Sequence, residues 1–202
     1  NIANTLTVSS IETLTGGTLN DAITLSTAVS GASYDLAGGT DTITLASGAN
    51  NLTVSGVESV VGGGATDTLS LAGNGSTLTV SAVETIAGST GDDVVTLGAS
   101  VSGGNFDLAA GNDTLNLAAG GNTLTVSGNV ETLVGGSGND LITVGSAVTG
   151  LTYDLGGGVD RLTLSSAGDN AITAIGIESL VGGTANDAVT FTAAVSGTAI
   201  DL

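Results

Sequence analysis

Short runs of alternating apolar and polar residues recur along the whole chain. The runs Thr42-Ile-Thr-Leu45 and Thr123-Leu-Thr-Val126 alternate with a period of two, which is typical of β-strands with one buried face. We expect their apolar residues to point into a core and the threonines between them to face solvent. Helices so rich in Gly, Thr, Ser and Val would be poor, at up to about 1 kcal/mol per glycine. The pattern therefore predicts an all-β protein.

These runs belong to an internal repeat that has a longer and a shorter form. In the longer form, a glycine-rich loop separates a Glu from an Asp nine residues later, and a strand follows. The pairs are Glu12 and Asp21, Glu58 and Asp67, Glu84 and Asp93, Glu131 and Asp140, and Glu178 and Asp187. The shorter form begins with an aromatic residue, Asp and Leu, and ends in a second Asp six residues after the first. Its copies run from Tyr34 to Asp41, from Phe106 to Asp113 and from Tyr153 to Asp160, and another begins at Ile200. We expect the three aromatic residues to plug the core of the shorter coils.

The spacing of the eight loop-closing aspartates predicts the architecture. Successive aspartates lie 20, 26 or 27 residues apart, and periods of about 20 to 50 residues indicate a solenoid, a propeller or an array. A propeller blade carries aromatic signatures, whereas this chain is 2% aromatic. We therefore predict a parallel β-solenoid, similar to a β-helix or β-roll, with about nine coils of alternating 20- and 26/27-residue length. Residues 1–202 should form a single solenoid segment, which we expect to be a fragment of a longer chain.

The net charge of the chain disfavours two classes of binding partner. The chain has 19 acidic residues against one basic residue, and its formal net charge is −18. Such a surface repels nucleic-acid phosphates and anionic lipid head groups, so we expect neither nucleic-acid binding nor membrane insertion. Because the chain has no cysteine, disulfides cannot stabilise it. Stability must come from the stacking of coils or from bound metal.

The acidic repeat positions are candidate metal ligands. Equivalent residues of neighbouring coils stack in a solenoid, so the eight loop aspartates should form one ladder about 5 Å apart, with repulsion of roughly 1 kcal/mol per neighbour in water. Calcium takes six to eight oxygen ligands, backbone carbonyls included, and would relieve this repulsion. The alternative is that each Asp accepts backbone hydrogen bonds in a turn, which needs no metal. For the Glu column we expect a solvated or hydrogen-bonded corner.

Two loops carry a resemblance to a known family. The segments 83–93, VETIAGSTGDD, and 130–140, VETLVGGSGND, resemble the nonapeptide G-G-x-G-x-D-x-U-x of RTX, or hemolysin-type, calcium-binding β-roll repeats of bacteria. The resemblance implies Ca²⁺ at part of the loops and export by type I secretion. Only Gly91 and Gly138 keep the fourth glycine of the motif. The candidate metal-site residues are therefore Asp93, Asp140, Asp92, Gly91 and Gly138 first, and then Asp21, Asp67, Asp187, Asp41, Asp113 and Asp160.

The repetition of the acidic residues along the chain bears on its function. An active site is normally one convergent cluster, whereas here the acidic residues recur in every unit, so we expect no enzyme. The repetition favours a structural rod that associates with itself or with flanking repeats. The resemblance implies that this rod belongs to a bacterial cell surface, in a surface layer, fibre or adhesin stalk. The alternative is an extracellular solenoid that binds ice or a glycan through outward threonines. That array would contain Thr7, Thr53, Thr79, Thr125 and Thr173, with the T-x-T pair broken at Asn51 and Ala171.

Overall fold

The computed structural model describes residues 2–193 and 199–202. In that part the chain forms 22 short strands and contains no helix long and apolar enough to cross a membrane. The strands assemble into two parallel sheets of 11 strands each, and consecutive strands alternate between the sheets. The predicted all-β parallel solenoid is confirmed.

The first sheet contains the odd-numbered strands. They are β1 (Thr5–Val8), β3 (Ala22–Leu25), β5 (Thr42–Thr44), β7 (Ser59–Val61), β9 (Thr77–Ser81), β11 (Val94–Leu97), β13 (Thr114–Asn116), β15 (Thr132–Val134), β17 (Thr149–Asp154), β19 (Asn170–Ile175) and β21 (Asp187–Phe191).

The second sheet contains the even-numbered strands. They are β2 (Thr13–Thr15), β4 (Ser30–Asp35), β6 (Asn51–Ser55), β8 (Thr68–Leu71), β10 (Thr85–Ala87), β12 (Ser102–Asp107), β14 (Thr123–Val126), β16 (Leu141–Val144), β18 (Arg161–Thr163), β20 (Ser179–Val181) and β22 (Ala199–Asp201).

One coil is shorter than the longer sequence repeat. Each coil contributes one strand to each sheet, and residues paired across neighbouring coils lie between 17 residues apart, as for Thr5 and Ala22, and 22 apart, as for Thr149 and Ala171. The 20-residue step from Asp21 to Asp41 crosses two strands and makes one coil. The 26-residue step from Asp41 to Asp67 crosses three strands and makes one and a half. The solenoid therefore has about ten turns, and successive long repeats start on opposite sheets.

The core is a single column of apolar side chains between the two sheets. Ile43, Leu45, Leu124 and Val126 are all buried, as the period-two pattern predicts. Tyr34, Phe106 and Tyr153 are also buried, in β4, β12 and β17, which confirms that they plug the core.

The outward threonines form two arrays on opposite sides of the solenoid. Thr7, Thr79 and Thr173 lie in the first sheet, whereas Thr53 and Thr125 lie in the second. The prediction that these five share one array is wrong, because the 46 residues from Thr7 to Thr53 span an odd number of strands.

Each sheet instead has its own column of mostly polar residues, set by the strand register. In the first sheet the column is Thr77, Val94, Thr114, Thr132, Thr152, Thr173 and Thr190. In the second it is Asn51, Thr68, Thr85, Asn105, Thr125, Thr143 and Thr163.

Candidate functional site

The loop aspartates stand at the starts of strands, in two columns rather than one. Five of them lie at the edge of the first sheet and three at the edge of the second. The first-sheet set is Asp21, Asp41, Asp93, Asp113 and Asp187, and the second-sheet set is Asp67, Asp140 and Asp160. The prediction of one ladder of eight is therefore wrong, because every three-strand step moves the next aspartate to the other sheet.

Glutamates continue these columns into the next coil. Glu58 precedes β7 and lies 17 residues after Asp41, in the position that an aspartate holds in the preceding coil. An equivalent relation, over 17 or 18 residues, joins Asp67 to Glu84, Asp113 to Glu131 and Asp160 to Glu178. We call the resulting groups carboxylate stacks. They are Asp21–Asp41–Glu58, Asp67–Glu84, Asp93–Asp113–Glu131 and Asp140–Asp160–Glu178.

Within each stack, a carboxylate accepts the backbone N–H of the equivalent residue in the preceding coil. The N–H of Asp93 donates to Asp113 Oδ1 at 2.7 Å, and the N–H of Asp113 donates to Glu131 Oε2 at 2.8 Å. The other stacks repeat this geometry, with distances of 2.6 to 2.9 Å. The acidic side chains therefore extend hydrogen bonding between coils beyond the strands and into the corners.

Buried asparagines begin several stacks, and the sequence analysis missed them. The backbone N–H of Asn122 and its Nδ2 both donate to Asp140 Oδ1, at 2.8 and 2.9 Å. Its Nδ2 also donates to the carbonyl oxygens of Ala118 and Gly120. Asn50 and Asn170 make the same kinds of contact. The signal was available, because each asparagine stands directly before or at the start of a strand, as the aspartates do.

Side chains one place before the stack positions accept N–H groups from the following coil, whereas the stack carboxylates accept them from the preceding coil. Asp92 Oδ1 accepts the N–H of Asn112 in the following coil at 2.9 Å, and Asp169 Oδ1 accepts that of Asn186 at 3.1 Å. Asn20 and Asn139 accept N–H groups from the following coil in the same way. Consecutive coils are thus joined by bonds in both directions, which explains Asp92 and Asp169, the two acidic residues outside the predicted columns.

Long and short loops differ at the second carboxylate oxygen. In the long loop that ends at Asp93, Oδ2 accepts the N–H of Ser89 at 2.7 Å. The residue four places back donates likewise to Asp21, Asp67 and Asp187. In the short loops, the Oδ2 atoms of Asp41, Asp113 and Asp160 are buried and accept no hydrogen bond from a described protein group. Asp140, in a long loop, shares this property.

The short loops lack this contact because another carboxylate captures the donor. The N–H four residues before Asp113 belongs to Ala109, and it donates to Asp107 Oδ1 at 3.0 Å. Ala37 and Gly156 donate in the same way to Asp35 and Asp154. The aspartate that opens each short loop therefore leaves the aspartate that closes it one donor short.

Burial and neighbouring negative charge raise the pKa of the aspartates that close the short loops. Burial raises the pKa of Asp113 to about 6, and the charges of Asp93, Glu131 and Asp92 add to this against the hydrogen bond from the Asp93 N–H. Burial likewise raises the pKa of Asp41 and of Asp160. Hydrogen bonds from Asn4 and Gly17 instead lower the pKa of Asp21.

At Asp93, the first of the predicted calcium ligands, hydrogen-bond donors occupy both carboxylate oxygens. Asp93 is fully buried, and N–H groups of Ser76 and Ser89 approach its two oxygens at 2.6 and 2.7 Å. Donors so close leave no room for a cation at those oxygens. Across residues 2–193 and 199–202, no group of three or more acidic side chains is placed to hold a metal ion. As arranged, Asp93 does not fit calcium, and calcium binding by the loops remains a prediction from the sequence.

Two of the loop glycines allow the backbones of neighbouring coils to approach each other closely. A Cβ atom at Gly91 would overlap the backbone of Asn74, and one at Gly138 would overlap the backbone of Gly120 and Gly121. Glycine at these two positions is therefore explained by the backbone of the adjacent coil.

No protein-family model, curated protein or solved structure matches this chain. The class to which it belongs is defined by its fold alone, a parallel β-solenoid of two sheets with carboxylate stacks at its corners.

Proposed function

We propose that this chain is a rigid repeat segment of an extracellular assembly at a bacterial cell surface, as in a surface layer, a fibre or an adhesin stalk. The observation that supports this most strongly is that the strands and the carboxylate stacks all join one coil to the next. Eleven strands per sheet, at about 4.8 Å each, make a rod about 50 Å long. Since each coil contacts its neighbours, length grows by the addition of coils.

The stacks add stiffness to such a rod. A shift of strand register by one residue turns the buried side chains outward, and here it would also break the corner bonds between coils. Hydrogen bonds to charged groups contribute about 1.5–3 kcal/mol each. In this proposal the acidic residues hold the rod together, it has no catalytic activity, and its negative charge disfavours nucleic-acid and membrane partners.

Association of rods can be measured directly. The outer edges of β1 and β2 at one end, and of β21 and β22 at the other, have no partner strand in the described chain, and such edges template pairing with another chain. We expect concentration-dependent end-to-end association in analytical ultracentrifugation, with elongated species in small-angle scattering. A dispersed monomer with and without calcium would contradict the assembly and favour ligand binding instead.

Calcium is a separate prediction within this proposal. If the loops that end at Asp93 and Asp140 bind the ion, calcium should raise the Tm of the parent chain, and the double variant Asp93→Ala, Asp140→Ala should lose that increase. An unchanged Tm for the parent would refute the calcium sites and leave the rod proposal intact, because the hydrogen-bonded stacks need no ion.

The second candidate function is ligand binding by a hydroxyl and amide array. The column Asn51 to Thr163 carries Thr or Asn in seven consecutive coils of the second sheet. Leu141 and Arg161 interrupt the neighbouring column, which favours a glycan over a regular ice lattice. Thr125→Tyr should abolish glycan binding or thermal hysteresis, whereas Thr132→Tyr on the opposite sheet serves as the matched control. No binding or hysteresis by the parent chain would remove this candidate.

A further inference from the structure

The coil that contains β8 and β9 departs from the repeat in the loop that joins these strands. In three other described coils, the fourth residue after the first strand of the coil is a buried valine, and the ninth is a buried aromatic residue. The valines are Val29, Val101 and Val148, and the aromatic residues are Tyr34, Phe106 and Tyr153. Counted from the end of β8, Gly75 and Val80 occupy these two positions. This coil therefore lacks two of the large side chains that fill the others.

A cavity of about 130 Å³ lies at the corner where the valine is absent. It is formed between Gly75 and the turn 56–58 of the preceding coil. Its buried lining residues are Val54, Val57, Leu71 and Leu78. Its more exposed lining residues are Ser55, Ser76 and Thr77. The cavity thus has an apolar floor and hydroxyl groups at its mouth.

The backbone of the loop prevents a valine from filling this cavity. Gly75 has a φ of +115°, a conformation that favours glycine. A Cβ atom on Gly75 would also overlap the backbone oxygen of Asp92 in the following coil. Since an unfilled cavity lowers the stability of a folded chain, a molecule that fills this one would stabilise the coil.

The charges around the cavity favour a neutral ligand. Among the described residues, Glu58 is the only charged one that lines it. Its Oε2 accepts the Asp41 N–H of the preceding coil at 2.7 Å, whereas the cavity lies on the side of the following coil. The apolar floor offers no partner to an ammonium group, and the net charge of −18 repels anions.

We propose that this cavity is a binding site for a small neutral molecule that carries a branched alkyl group, of the size of a valine side chain, beside an amide or a hydroxyl group. The alkyl group packs on the apolar floor, as Val29, Val101 and Val148 pack in the equivalent corners. The amide or hydroxyl group bonds to the hydroxyls at the mouth, which both donate and accept hydrogen bonds. An engineered cavity of about 150 Å³ in another protein binds benzene, so the available volume suits such a molecule. The site depends neither on association of the rods nor on the threonine and asparagine columns of the sheets.

A series of four compounds varies the alkyl group and the charge separately. Isobutyramide carries an isopropyl group and a neutral amide, whereas acetamide keeps the amide with a single methyl group. Isobutyrate and isobutylamine carry the branched alkyl group with a negative and a positive charge. Each is titrated into the full 202-residue chain while the methyl signals of Val57, Leu71 and Leu78 are followed by NMR.

We expect isobutyramide to shift these methyl signals until they saturate. Acetamide should bind at least about tenfold more weakly, since a single methylene in an apolar pocket changes affinity by about 10-fold or more. Isobutyrate should bind more weakly than isobutyramide because of the negative charge of the chain. No saturable shift with isobutyramide, or equal binding of acetamide, would overturn the proposal. Tighter binding of isobutylamine than of isobutyramide would overturn it as well, because the site would then select charge.

A variant that narrows the cavity gives the second test. Ala72 lines the cavity, and Ser26 is the equivalent residue of the loop that ends in Val29. Ala72→Leu should weaken the binding of isobutyramide at least about tenfold, whereas the matched control Ser26→Leu should leave it unchanged. Unchanged binding by folded Ala72→Leu would place the ligand elsewhere on the chain and refute the site. If Ala72→Leu does not fold, the series of compounds on the parent chain decides.

Discussion

The long loop that closes at Asp93 and the short loop that closes at Asp113 place the same side chain at the start of a strand and differ in one hydrogen-bond donor. At Asp93, which closes a long loop, both oxygens accept N–H groups. At Asp113, which closes a short loop, one oxygen accepts an N–H and the other is buried without a partner among the described residues. In the short loop, the N–H four residues before Asp113 belongs to Ala109 and donates to Asp107, so Asp113 accepts one N–H fewer than Asp93.

We expect the largest change in stability when each of these two aspartates is replaced by alanine. Asp93→Ala leaves the N–H groups of Ser76 and Ser89 without acceptors, at about 1–3 kcal/mol each, so we expect a loss of about 3 kcal/mol or more. Asp113→Ala orphans one N–H, that of Asp93, and also removes a buried charge that costs free energy. Its loss should be clearly smaller in urea unfolding at pH 7.5. Equal losses would show that the second oxygen does not distinguish the two loops.

The next effect concerns the glycines of the two loops. A Cβ atom at Gly138 in the long loop would overlap the backbone of the adjacent coil, whereas one at Gly157 in the short loop would meet nothing within 4 Å. We expect Gly138→Ala to cost about 1–3 kcal/mol, as overpacking does, and Gly157→Ala to stay within about 0.5 kcal/mol of the parent. Thermal unfolding in the presence of a chelator checks both without any contribution of calcium. A harmless Gly138→Ala would indicate that the coils separate more easily than the structure implies.

Much of the fold could be predicted from the sequence, but the coil length could not be read from the aspartates alone. Three residue types share one structural position, since Asn50, Asp67 and Glu84 occupy one column at steps of 17 residues. A search for aspartate alone misses some coils and counts one and a half coils as one. The alternation of apolar residues is independent of this choice, so the sheets and the core followed from the sequence.

The chemistry of the carboxylates was harder to predict for a physical reason. A carboxylate oxygen uses the same lone pairs to accept an N–H or to bind a cation. An aspartate in the sequence is therefore compatible with either role. The outcome at Asp93 depends on whether the amide of Ser76, in the preceding coil, points at that oxygen. That depends on the register between coils, which a single sequence does not reveal.

The smallest expected effect compares two buried tyrosines in equivalent positions of the short repeat. The Tyr34 hydroxyl donates to the carbonyl oxygen of Ile11 at 2.7 Å, whereas the Tyr153 hydroxyl is buried without a partner among the described residues. Burial, followed by the nearby charge of Glu131, raises the pKa of Tyr153, so this hydroxyl stays neutral and remains unsatisfied across the working range of pH. Phe106 occupies the same position without a hydroxyl, which shows that the core accepts the change to phenylalanine.

Tyr34→Phe removes a hydrogen bond that contributes about 1 kcal/mol, so it should lower the free energy of unfolding by about that amount. Tyr153→Phe removes a buried polar group that makes no bond, so we expect it to leave stability unchanged or to raise it by up to about 1 kcal/mol. Urea unfolding of both variants at one pH resolves the difference in sign. A loss in Tyr153→Phe that matches the loss in Tyr34→Phe would mean that its hydroxyl does find an acceptor, and that the two repeats pack alike.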